Sequence, residues 1–141
     1  MTVSGYSKVV PIEEALSHIS NGSSIMVGGF AGTGNAVSLI KGIVANGTKD
    51  LTLICNDTGI GTDDVGELVV AKAIKKAIVS HIGTNKETCR QLAAGEIEVE
   101  FVPQGTLVER IRSGGFGLGG FLTPTGVGTA IEEGKQRLTV N

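Results

Sequence analysis

The residues best suited to bind a ligand form a glycine-rich segment near the amino terminus. Gly28, Gly29, Gly32 and Gly34 closely follow the short apolar run 25–27, which predicts a strand buried on both faces. Because glycine accepts positive φ angles and carries no Cβ atom, such a segment lets backbone N–H groups approach a ligand. The same pattern is also typical of a tight turn between a strand and a helix that binds nothing, and both interpretations stay open here.

Asn56 and Asp57 are the next candidates, because they follow the mostly apolar run 51–55 as the glycines follow the first run. Their side chains offer hydrogen-bond acceptors and, in Asn56, a donor. Asn and Asp are also common turn residues for local reasons, so a structural role alone explains them equally well. If the two runs are neighbouring parallel strands, their polar segments lie side by side at one edge of the sheet.

His81 is a candidate general base, because it follows a third apolar run, 77–79, within the polar segment 80–85. No Asp, Ser or Cys partner is evident for it, which favours a hydrogen-bonding role in the loop instead. His18 lies beside the apolar stripe of the first predicted helix and is expected to be a surface or partly buried residue. Cys89 is expected to be a buried, unreactive thiol.

Gln104 is the fourth candidate, and it follows a strand of a different kind. Residues 96–102 alternate between charged and apolar, which predicts a strand with one solvated face near the edge of the sheet. Thr106 and Glu109 have the spacing of a capping box and predict a helix that runs to about Ser113. The amino end of that helix, with Gln104 beside it, is suited to orient an oxyanion or carboxylate, or it is simply a well-formed helix start.

A repeated pattern of strand followed by helix positions all these candidates. Apolar residues at helical spacing, with Pro11 at a first helical position and Asp63 or Asp64 as a cap, predict the helices. Because strands alternate with helices, we expect an α/β fold with an open, mostly parallel sheet and helices on both faces. The predicted helices are 11–19, 35–45, 65–73 and a short stretch around Cys89, and the predicted strands are 25–27, 51–55, 77–79 and 96–102.

The composition excludes several classes of function. The chain of 141 residues is about one domain, and its core must consist mostly of Ile, Val, Leu and Ala, because aromatic residues are few. A formal net charge of -2, with acids and bases scattered, argues against a nucleic-acid or anionic-membrane surface. No apolar run approaches the ~20 residues that a bilayer requires, and no signal-peptide pattern is present. Two cysteines without CxxC spacing favour a reduced, cytoplasmic protein without a metal site.

The two ends of the chain carry weaker signals. Residues 1–10 are expected to be a loose leader. The segment 114–128 holds seven glycines but keeps Phe116 and Leu118, so we expect an ordered loop rather than a low-complexity linker. Residues 138–140 begin another alternating pattern at which the sequence stops, so the domain is expected to be truncated at its carboxyl terminus.

The segment 21–34 resembles the signature of family I coenzyme A transferases. That signature is Asp or Asn, Gly, two free positions, three apolar residues, Gly-Gly-Phe, three free positions, Gly, a free position and Pro, and Ala36 stands where the proline is expected. The chain resembles the α subunit of this family, which includes acetate or butyrate–acetoacetate and succinyl-CoA:3-ketoacid transferases, and segments 80–85 and 119–128 are most similar to the bacterial acetoacetate type. Further matching segments, which together cover nearly the whole chain, are 51–58, 80–85, 103–112 and 119–129.

The resemblance implies that residues 1–141 form one α-subunit domain of a heteromeric enzyme. Such an enzyme moves CoA between a short-chain acyl-CoA and a carboxylic acid. A glutamate of the β subunit attacks the thioester and then carries CoA as a glutamyl thioester. This chain lacks the matching glutamate motif, so it is expected to be inactive alone. Coenzyme A is then a substrate, and no permanently bound cofactor or metal is expected.

The resemblance also implies site residues, although no catalytic residue is expected in this chain. Asn56, Asp57 and Gln104 are expected to border the carboxylate and thioester. The glycine-rich loop is expected to form the wall beside them, and a second group is expected to extend the same edge of the sheet. The loop residues are Gly28, Gly29, Phe30, Gly32 and Gly34, and the second group is His81, Gly83 and Asn85.

Three alternatives compete with this interpretation. A phosphosugar isomerase or ligand-sensing protein of the same fold would need a Lys or Asp base and a Ser/Thr phosphate cluster. A non-catalytic assembly protein would use the glycine loops for subunit contacts only. A dinucleotide site is disfavoured, because Gly29, Gly32 and Gly34 do not have the G-x-G-x-x-G spacing and no acid follows the second strand at the ribose position.

Overall fold

A computed structural model describes residues 9–61 and 63–139 of the chain. Helices and strands alternate through most of this length, as the sequence predicts. The elements are α1 (Ile12–Ser17), β1 (Ser24–Met26), α2 (Val37–Ala45), β2 (Leu51–Ile54), α3 (Gly66–Val70), β3 (Ile74–Val79), α4 (Lys86–Ala93), β4 (Glu98–Phe101), α5 (Gln104–Phe116) and a 3-10 turn (Ala130–Glu132).

The four strands form one sheet in the order β1-β2-β3-β4, and each neighbouring pair is parallel. The predicted α/β fold with a parallel sheet is confirmed. Strands adjacent in the chain are also adjacent in the sheet, and the right-handed crossovers typical of parallel strands place α2, α3 and α4 on one face. These helices pack in chain order, α2 against α3 and α3 against α4. The strand ends that carry the candidate residues therefore line up along one edge.

The core lies between this row of helices and the central strands. Alternate residues of β2 and β3 point into it, because successive side chains of a strand face opposite sides of the sheet. The predicted apolar stripe of α2 is confirmed, since Ile40 and Ile43 are buried. The buried residues of the sheet and of α3 are Leu51, Leu53, Ala77, Val79, Leu68 and Val69.

The first strand differs from its prediction. Residues 25–27 were expected to be buried on both faces, but Ile25 is only partly buried and Met26 is 63% exposed. Within the described residues β1 is the edge strand, and its only strand partner is β2. An apolar run alone predicts burial but not the number of neighbours that provide it.

Helix α3 is shorter than the predicted 65–73. It ends at Val70, because Lys72 takes a positive φ of 51° and turns the chain into β3. That strand starts at Ile74, three residues before the predicted start. The N-cap position is Val65, although Asp64 accepts a hydrogen bond from the N–H of Gly66 at 2.6 Å.

The predicted capping box at the start of α5 is wrong. The helix begins at Gln104 with Pro103 at the N-cap position, two residues before Thr106. The Thr106 hydroxyl is consequently inside the helix, buried and without a hydrogen-bond partner among the described residues. Glu109 instead pairs with Arg112. The helix also continues beyond Ser113 to Phe116, where Gly117 ends it with a φ of 68°.

Three smaller expectations are also resolved. Pro11 is the N-cap of α1 rather than its first helical residue. Cys89 is exposed, so the expectation of a buried thiol is wrong for it; Cys55 is the buried cysteine. Leu138 and Thr139 are not in a strand. The leader prediction for residues 1–8 and the strand prediction at Val140 lie outside the described residues.

Candidate functional site

Four loops meet at the carboxyl edge of the sheet, and we call this edge the rim. It consists of residues 27–36 after β1, 55–61 and 63–65 after β2, 80–85 after β3 and 102–105 after β4, the last two of which begin α5. Hydrogen bonds join the first three loops: Ala31 N donates to Asp57 Oδ2, and Ser80 Oγ donates to the Asn56 carbonyl oxygen. The fourth loop is tied to the end of β3, because Val102 N donates to the Val79 carbonyl oxygen. The predicted side-by-side arrangement of the polar segments is therefore present.

The glycine-rich loop contains a tight hairpin turn. Phe30 and Thr33 exchange two backbone hydrogen bonds of 3.0 and 2.9 Å around the central residues Ala31 and Gly32. Both central residues have positive φ, 47° and 79°, which is the geometry of a type I′ turn. Ala31 is strained in this conformation, because its Cβ atom disfavours the left-handed region. Phe30 stands at the start of the turn with 66% of its surface exposed.

Asp57 fixes this turn to the second loop. Its carboxylate accepts hydrogen bonds from Ala31 N at 2.9 Å, Asn56 Nδ2 at 2.9 Å and Gly59 N at 2.8 Å, and the residue is only 2% exposed. Burial alone would raise the pKa of Asp57, but the three donors outweigh burial, and His81 adds a favourable charge interaction. The pKa of Asp57 is therefore below its ordinary value. Asp57 is thus an ionised, inward-facing anchor of the loop.

Asn35 is a second anchor that the sequence analysis missed. Its Nδ2 atom donates to the Gly28 carbonyl oxygen at 2.7 Å, and its Oδ1 atom accepts from Val65 N at 2.9 Å. One side chain thus joins the glycine-rich loop to the start of α3. The available signal was an amide residue between a glycine and a predicted helix, but that pattern also occurs at ordinary helix starts.

Asp64 is a third buried anchor, and it was predicted only as a helix cap. Oδ2 of Asp64 accepts from Ile60 N at 2.8 Å, so the carboxylate closes its own loop as well as contacting α3. A Cβ atom on Gly32 would lie 2.9 Å from the same oxygen, and one on Gly59 would lie 2.3 Å from Oδ1. The glycines at these two positions therefore make room for a carboxylate.

Gly29 is required where it stands, whereas Gly28 is not. Gly29 has a φ of 119°, and a Cβ atom there would lie 2.3 Å from Asn35 Nδ2 and 2.7 Å from the Thr33 carbonyl oxygen. A Cβ atom on Gly28 would meet no atom within 4 Å among the described residues. Gly34 also has positive φ. The loop therefore has one crowded side, which faces Asn35, and one open side, which Gly28 borders.

Asn56 and His81 lie at the middle of the rim. Asn56 is partly buried, and its Oδ1 atom accepts from Ser80 Oγ at 3.1 Å. His81 is partly exposed beside Asp57, with which it forms a bridge between the two strand extensions. The structure thus brings both predicted residues to the same edge, with Asn56 held by its neighbours on both sides.

Asn85 has a structural role that the sequence did not reveal. It is the N-cap of α4, with Oδ1 accepting from Glu87 N and Thr88 N, and it is buried. Its Nδ2 atom donates to the Thr58 carbonyl oxygen at 2.7 Å. Gly83 in the same loop is exposed. Asn85 therefore holds the second and third loops together rather than facing solvent.

Gln104 is exposed at the first position of α5. Its side chain makes no hydrogen bond to the described residues, so its amide group is free to donate or accept. Because β4 is the neighbour of β3, Gln104 lies at the same edge of the sheet as His81. The predicted placement beside a helix start is correct, although the helix includes Gln104 itself.

Other kinds of site find little support in the part of the chain that the structure describes. A cavity of about 1040 Å³ is lined by residues 120–127, 131, 132 and 135–139, and no rim residue lines it. No group of His, Cys, Asp and Glu residues within 9–61 and 63–139 is arranged to hold a metal ion. In the same two ranges, no helix has the length and apolar character needed to cross a membrane.

Comparison with known sequences gives one consistent family. Residues 9–141 match the family model described as coenzyme A transferase. The chain is 51% identical over 135 residues to the acetate CoA-transferase subunit alpha of Escherichia coli, covering 96% of the chain and 61% of the relative. It is 47% identical to the acetoacetyl-CoA:acetate/butyrate CoA transferase alpha subunit of Clostridium acetobutylicum, covering 96% and 62%. The chain thus spans about three fifths of the length of these relatives.

Solved structures support the fold. Glutaconate coenzyme A-transferase from Acidaminococcus fermentans superimposes with a TM-score of 0.75 at 18% identity, covering 89% of this chain and 41% of the other. An acyl-CoA transferase from Escherichia coli O157:H7 superimposes with a TM-score of 0.72 at 20% identity, covering 91% and 26%. At these identities the likeness concerns the fold alone.

Proposed function

The chain belongs to the coenzyme A transferase family, and on that basis we propose that it acts as an α subunit in a heteromeric CoA-transferase. The proposed reaction moves CoA between a short-chain acyl-CoA and a carboxylic acid, of the acetoacetyl-CoA and acetate type. The observation that carries the proposal is the rim itself, because the family's glycine signature and the exposed Gln104 amide lie on one sheet edge.

The proposed chemistry uses a glutamate of a β subunit as the nucleophile. Its carboxylate attacks the thioester carbonyl carbon, the CoA thiolate leaves, and a mixed anhydride forms. The thiolate then attacks the glutamyl carbonyl carbon, which releases the first carboxylate and leaves CoA on the glutamate as a thioester. A second carboxylate takes CoA by the reverse steps. Each attack places negative charge on a carbonyl oxygen, which nearby N–H donors stabilise.

The rim of this chain supports a nucleophile that comes from elsewhere. Asp57 and Asp64 are buried, and their oxygens accept hydrogen bonds from backbone N–H groups. A carboxylate held in this way is a poor nucleophile, because attack would require it to abandon those bonds. Asp63 is exposed but forms an ion pair with Lys41 at 2.6 Å. We therefore assign Asp57 and Asp64 to holding the loops, and Asp63 to a surface ion pair.

Within the proposed site, we assign direct contacts to Gln104 and Asn56. The Gln104 amide can donate to a thioester or carboxylate oxygen, and Asn56 borders the adjacent loop. Asp57 acts through the glycine-rich loop that it anchors. CoA enters as a substrate without a permanently bound cofactor, the partner is a β-type subunit in a hetero-oligomer, and the proposed location is the cytoplasm.

An isomerase of the same fold is less well supported. Such an enzyme needs an unpaired Asp or Lys base on the rim. Among the described rim residues the buried acids are bonded to backbone N–H groups, and Lys41 on the neighbouring helix is paired with Asp63.

The test is consumption of acetoacetyl-CoA with acetate as acceptor. It compares the chain alone, the chain co-expressed with a β-type subunit, and a chimera in which this chain replaces the matching region of the Escherichia coli acetate CoA-transferase α subunit. We expect CoA transfer only when a β subunit is present. If neither the co-expressed chain nor the chimera transfers CoA with a β subunit, although both are folded, the proposed function is refuted. Activity of the chain alone would refute an active site shared between two subunits.

A further inference from the structure

The peptide group between Gly28 and Gly29 has a fixed orientation. Its carbonyl oxygen accepts a hydrogen bond from Asn35 Nδ2 at 2.7 Å. The peptide bond is trans, and in a planar trans peptide the N–H group points away from the C=O group. The N–H group of Gly29 is therefore directed away from Asn35.

The loop has open space beside Gly28. A Cβ atom on Gly28 would meet no described atom within 4 Å, and both Gly28 and Gly29 are exposed. Among the described residues, no acceptor receives a hydrogen bond from the N–H group of Gly29. An exposed N–H donor that the protein leaves unused and holds in one direction is preorganised for an anionic oxygen.

The Asn35 side chain is itself fixed by a second hydrogen bond. Its Oδ1 atom accepts from Val65 N at 2.9 Å, so the amide group cannot rotate without losing both bonds. The direction of the Gly28–Gly29 peptide is therefore set by two linked hydrogen bonds, one on each side of the Asn35 amide.

From this geometry we propose that the N–H group of Gly29 binds a carboxylate or thioester oxygen of the substrate, and that Asn35 is the positioning residue that directs it. The proposal rests on the proposed function for the reaction that the site serves. No catalytic role is assigned to Asn35, since its amide group faces the protein.

The principal variant is Asn35→Asp. It keeps the size of the side chain and the acceptor for Val65 N, but it places a carboxylate oxygen against the Gly28 carbonyl oxygen. Two acceptors repel each other, and the flexible glycines allow the peptide to turn. In a mixture that transfers CoA, we expect kcat to fall by about 10- to 100-fold, a part of the loss seen when an oxyanion donor is removed. KM for the acyl-CoA should change by less than about 3-fold.

Gln91→Glu is the matched control. It makes the same change from amide to acid and removes the bonds that Gln91 Nε2 donates to the Val69 carbonyl oxygen and to Glu87 Oε1, both 2.8 Å long. Gln91 is buried between α4 and α3, away from the rim loops. We expect this control to lower the melting temperature without a comparable loss of kcat. Equal kcat losses in the two variants, measured below both melting temperatures, would overturn the positioning role.

Gly28→Ala keeps the proposal testable if Asn35→Asp fails to fold. Gly28 is not at positive φ and has space for a methyl group, so the variant should fold normally. The methyl group would stand on the open side of the loop and obstruct the ligand. We expect a normal melting temperature with kcat reduced by about 10-fold or more. Unchanged kcat would show that no substrate approaches this side.

A binding measurement separates this inference from the proposed function. When the chain is labelled with glycine carrying ¹³C at the carbonyl carbon and ¹⁵N, an HNCO spectrum shows only the Gly-Gly peptides, 28–29, 114–115 and 119–120. In the complex with the β-type subunit, titration with acetate should shift the 28–29 signal alone, and Asn35→Asp should abolish that shift. No shift in the unmodified protein, or an equal shift in the variant, would overturn the inference. A shift without CoA transfer would refute only the proposed reaction.

Discussion

Replacing Asp57 by Asn tests whether one buried carboxylate holds the rim loops together. The substitution keeps the shape of the side chain and removes the charge. It also turns one of the two oxygens into an N–H donor. Asp57 Oδ2 accepts hydrogen bonds from Ala31 N and Asn56 Nδ2, and Oδ1 accepts one from Gly59 N. In its best orientation the new amide oxygen still accepts from Ala31 N and Asn56 Nδ2. The new NH2 group then faces Gly59 N, so two donors meet and that hydrogen bond is lost.

The expected cost follows from these contacts. A hydrogen bond to a charged group contributes about 1.5–3 kcal/mol, and the bond from Gly59 N is lost outright. The two remaining bonds become neutral and weaker. Because the bond from Ala31 N also offsets the strain of its positive φ, weakening it favours opening of the turn. We therefore expect Asp57→Asn to lower the free energy of unfolding by about 2–4 kcal/mol.

Urea unfolding followed by circular dichroism measures this cost. Asp63→Asn is the control, because Asp63 lies in the same loop but forms only an exposed ion pair with Lys41. Exposed pairs contribute about 0–1 kcal/mol. Asp63 also has a φ of 63°, a conformation that Asn accepts well. If Asp57→Asn costs no more than the control, the carboxylate does not hold the loops.

The difference in the free energy of unfolding between the unmodified protein and Asp57→Asn should depend on pH, in a direction that the pKa of Asp57 sets. Although burial opposes it, hydrogen bonding holds the pKa of Asp57 below its ordinary value. A group with a lowered pKa stabilises the fold above its unfolded pKa, about 3.9 for Asp, and loses that contribution as the pH falls through the folded value. The difference in the free energy of unfolding between the unmodified protein and Asp57→Asn should shrink below about pH 4, compared with its value at about pH 5. Glu87 and Glu96, whose pKa values hydrogen bonds from Arg90 lower to about 2, titrate equally in both proteins.

Four further outcomes are expected. Gly29→Ala should lower the free energy of unfolding by about 2–4 kcal/mol, measured in urea, because its Cβ atom would overlap Asn35 and the φ of 119° is unfavourable; an unchanged midpoint would contradict the geometry of the loop. Gln104→Ala should lower the turnover of the reconstituted enzyme without changing its melting temperature, since the side chain is exposed and unbonded, and unchanged kinetics would remove it from the site. Thr106→Val should be neutral or stabilising by up to about 1 kcal/mol, because it removes a buried hydroxyl without a partner, whereas a true cap would lose stability. A thiol reagent should modify exposed Cys89 in the native protein but Cys55 only on unfolding, because Cys55 is buried and burial raises the pKa of its thiol.

The sequence predicts the existence of the four strands, because each is a local pattern. The run 51–55 is mostly apolar, and its short length between turn residues favours a strand over a helix. The predicted helix start at Thr106 failed for a related reason. Its pattern was also local, but Pro103 stands three residues earlier and allows the helix to begin there. The capping-box spacing of Thr106 and Glu109 and the position of Pro103 indicate different helix starts. The sequence alone does not show which of the two prevails.

The anchors of the rim could not be predicted in the same way. The contact from Asn35 to Val65 spans 30 residues, and that from Asp57 to Ala31 spans 26. Such contacts exist only after the crossovers have placed two loops side by side, so no local pattern specifies them. The sequence identified Asp57 as a candidate from its residue type and position after a strand. The structure shows that it faces the loops rather than the solvent.

The distribution of charge on the rim has a consequence for catalysis. A free carboxylate next to a site that stabilises negative oxygen would repel the substrate and compete for the same donors. In the described rim the carboxylates of Asp57 and Asp64 already bind backbone N–H groups of their own loops, while the Gln104 amide and the N–H group of Gly29 face outward. The rim therefore exposes at least two hydrogen-bond donors, while its exposed acid, Asp63, is paired with Lys41. A rim that exposes hydrogen-bond donors and buries the carboxylates of Asp57 and Asp64 suits an anionic substrate and a nucleophile supplied by a partner subunit.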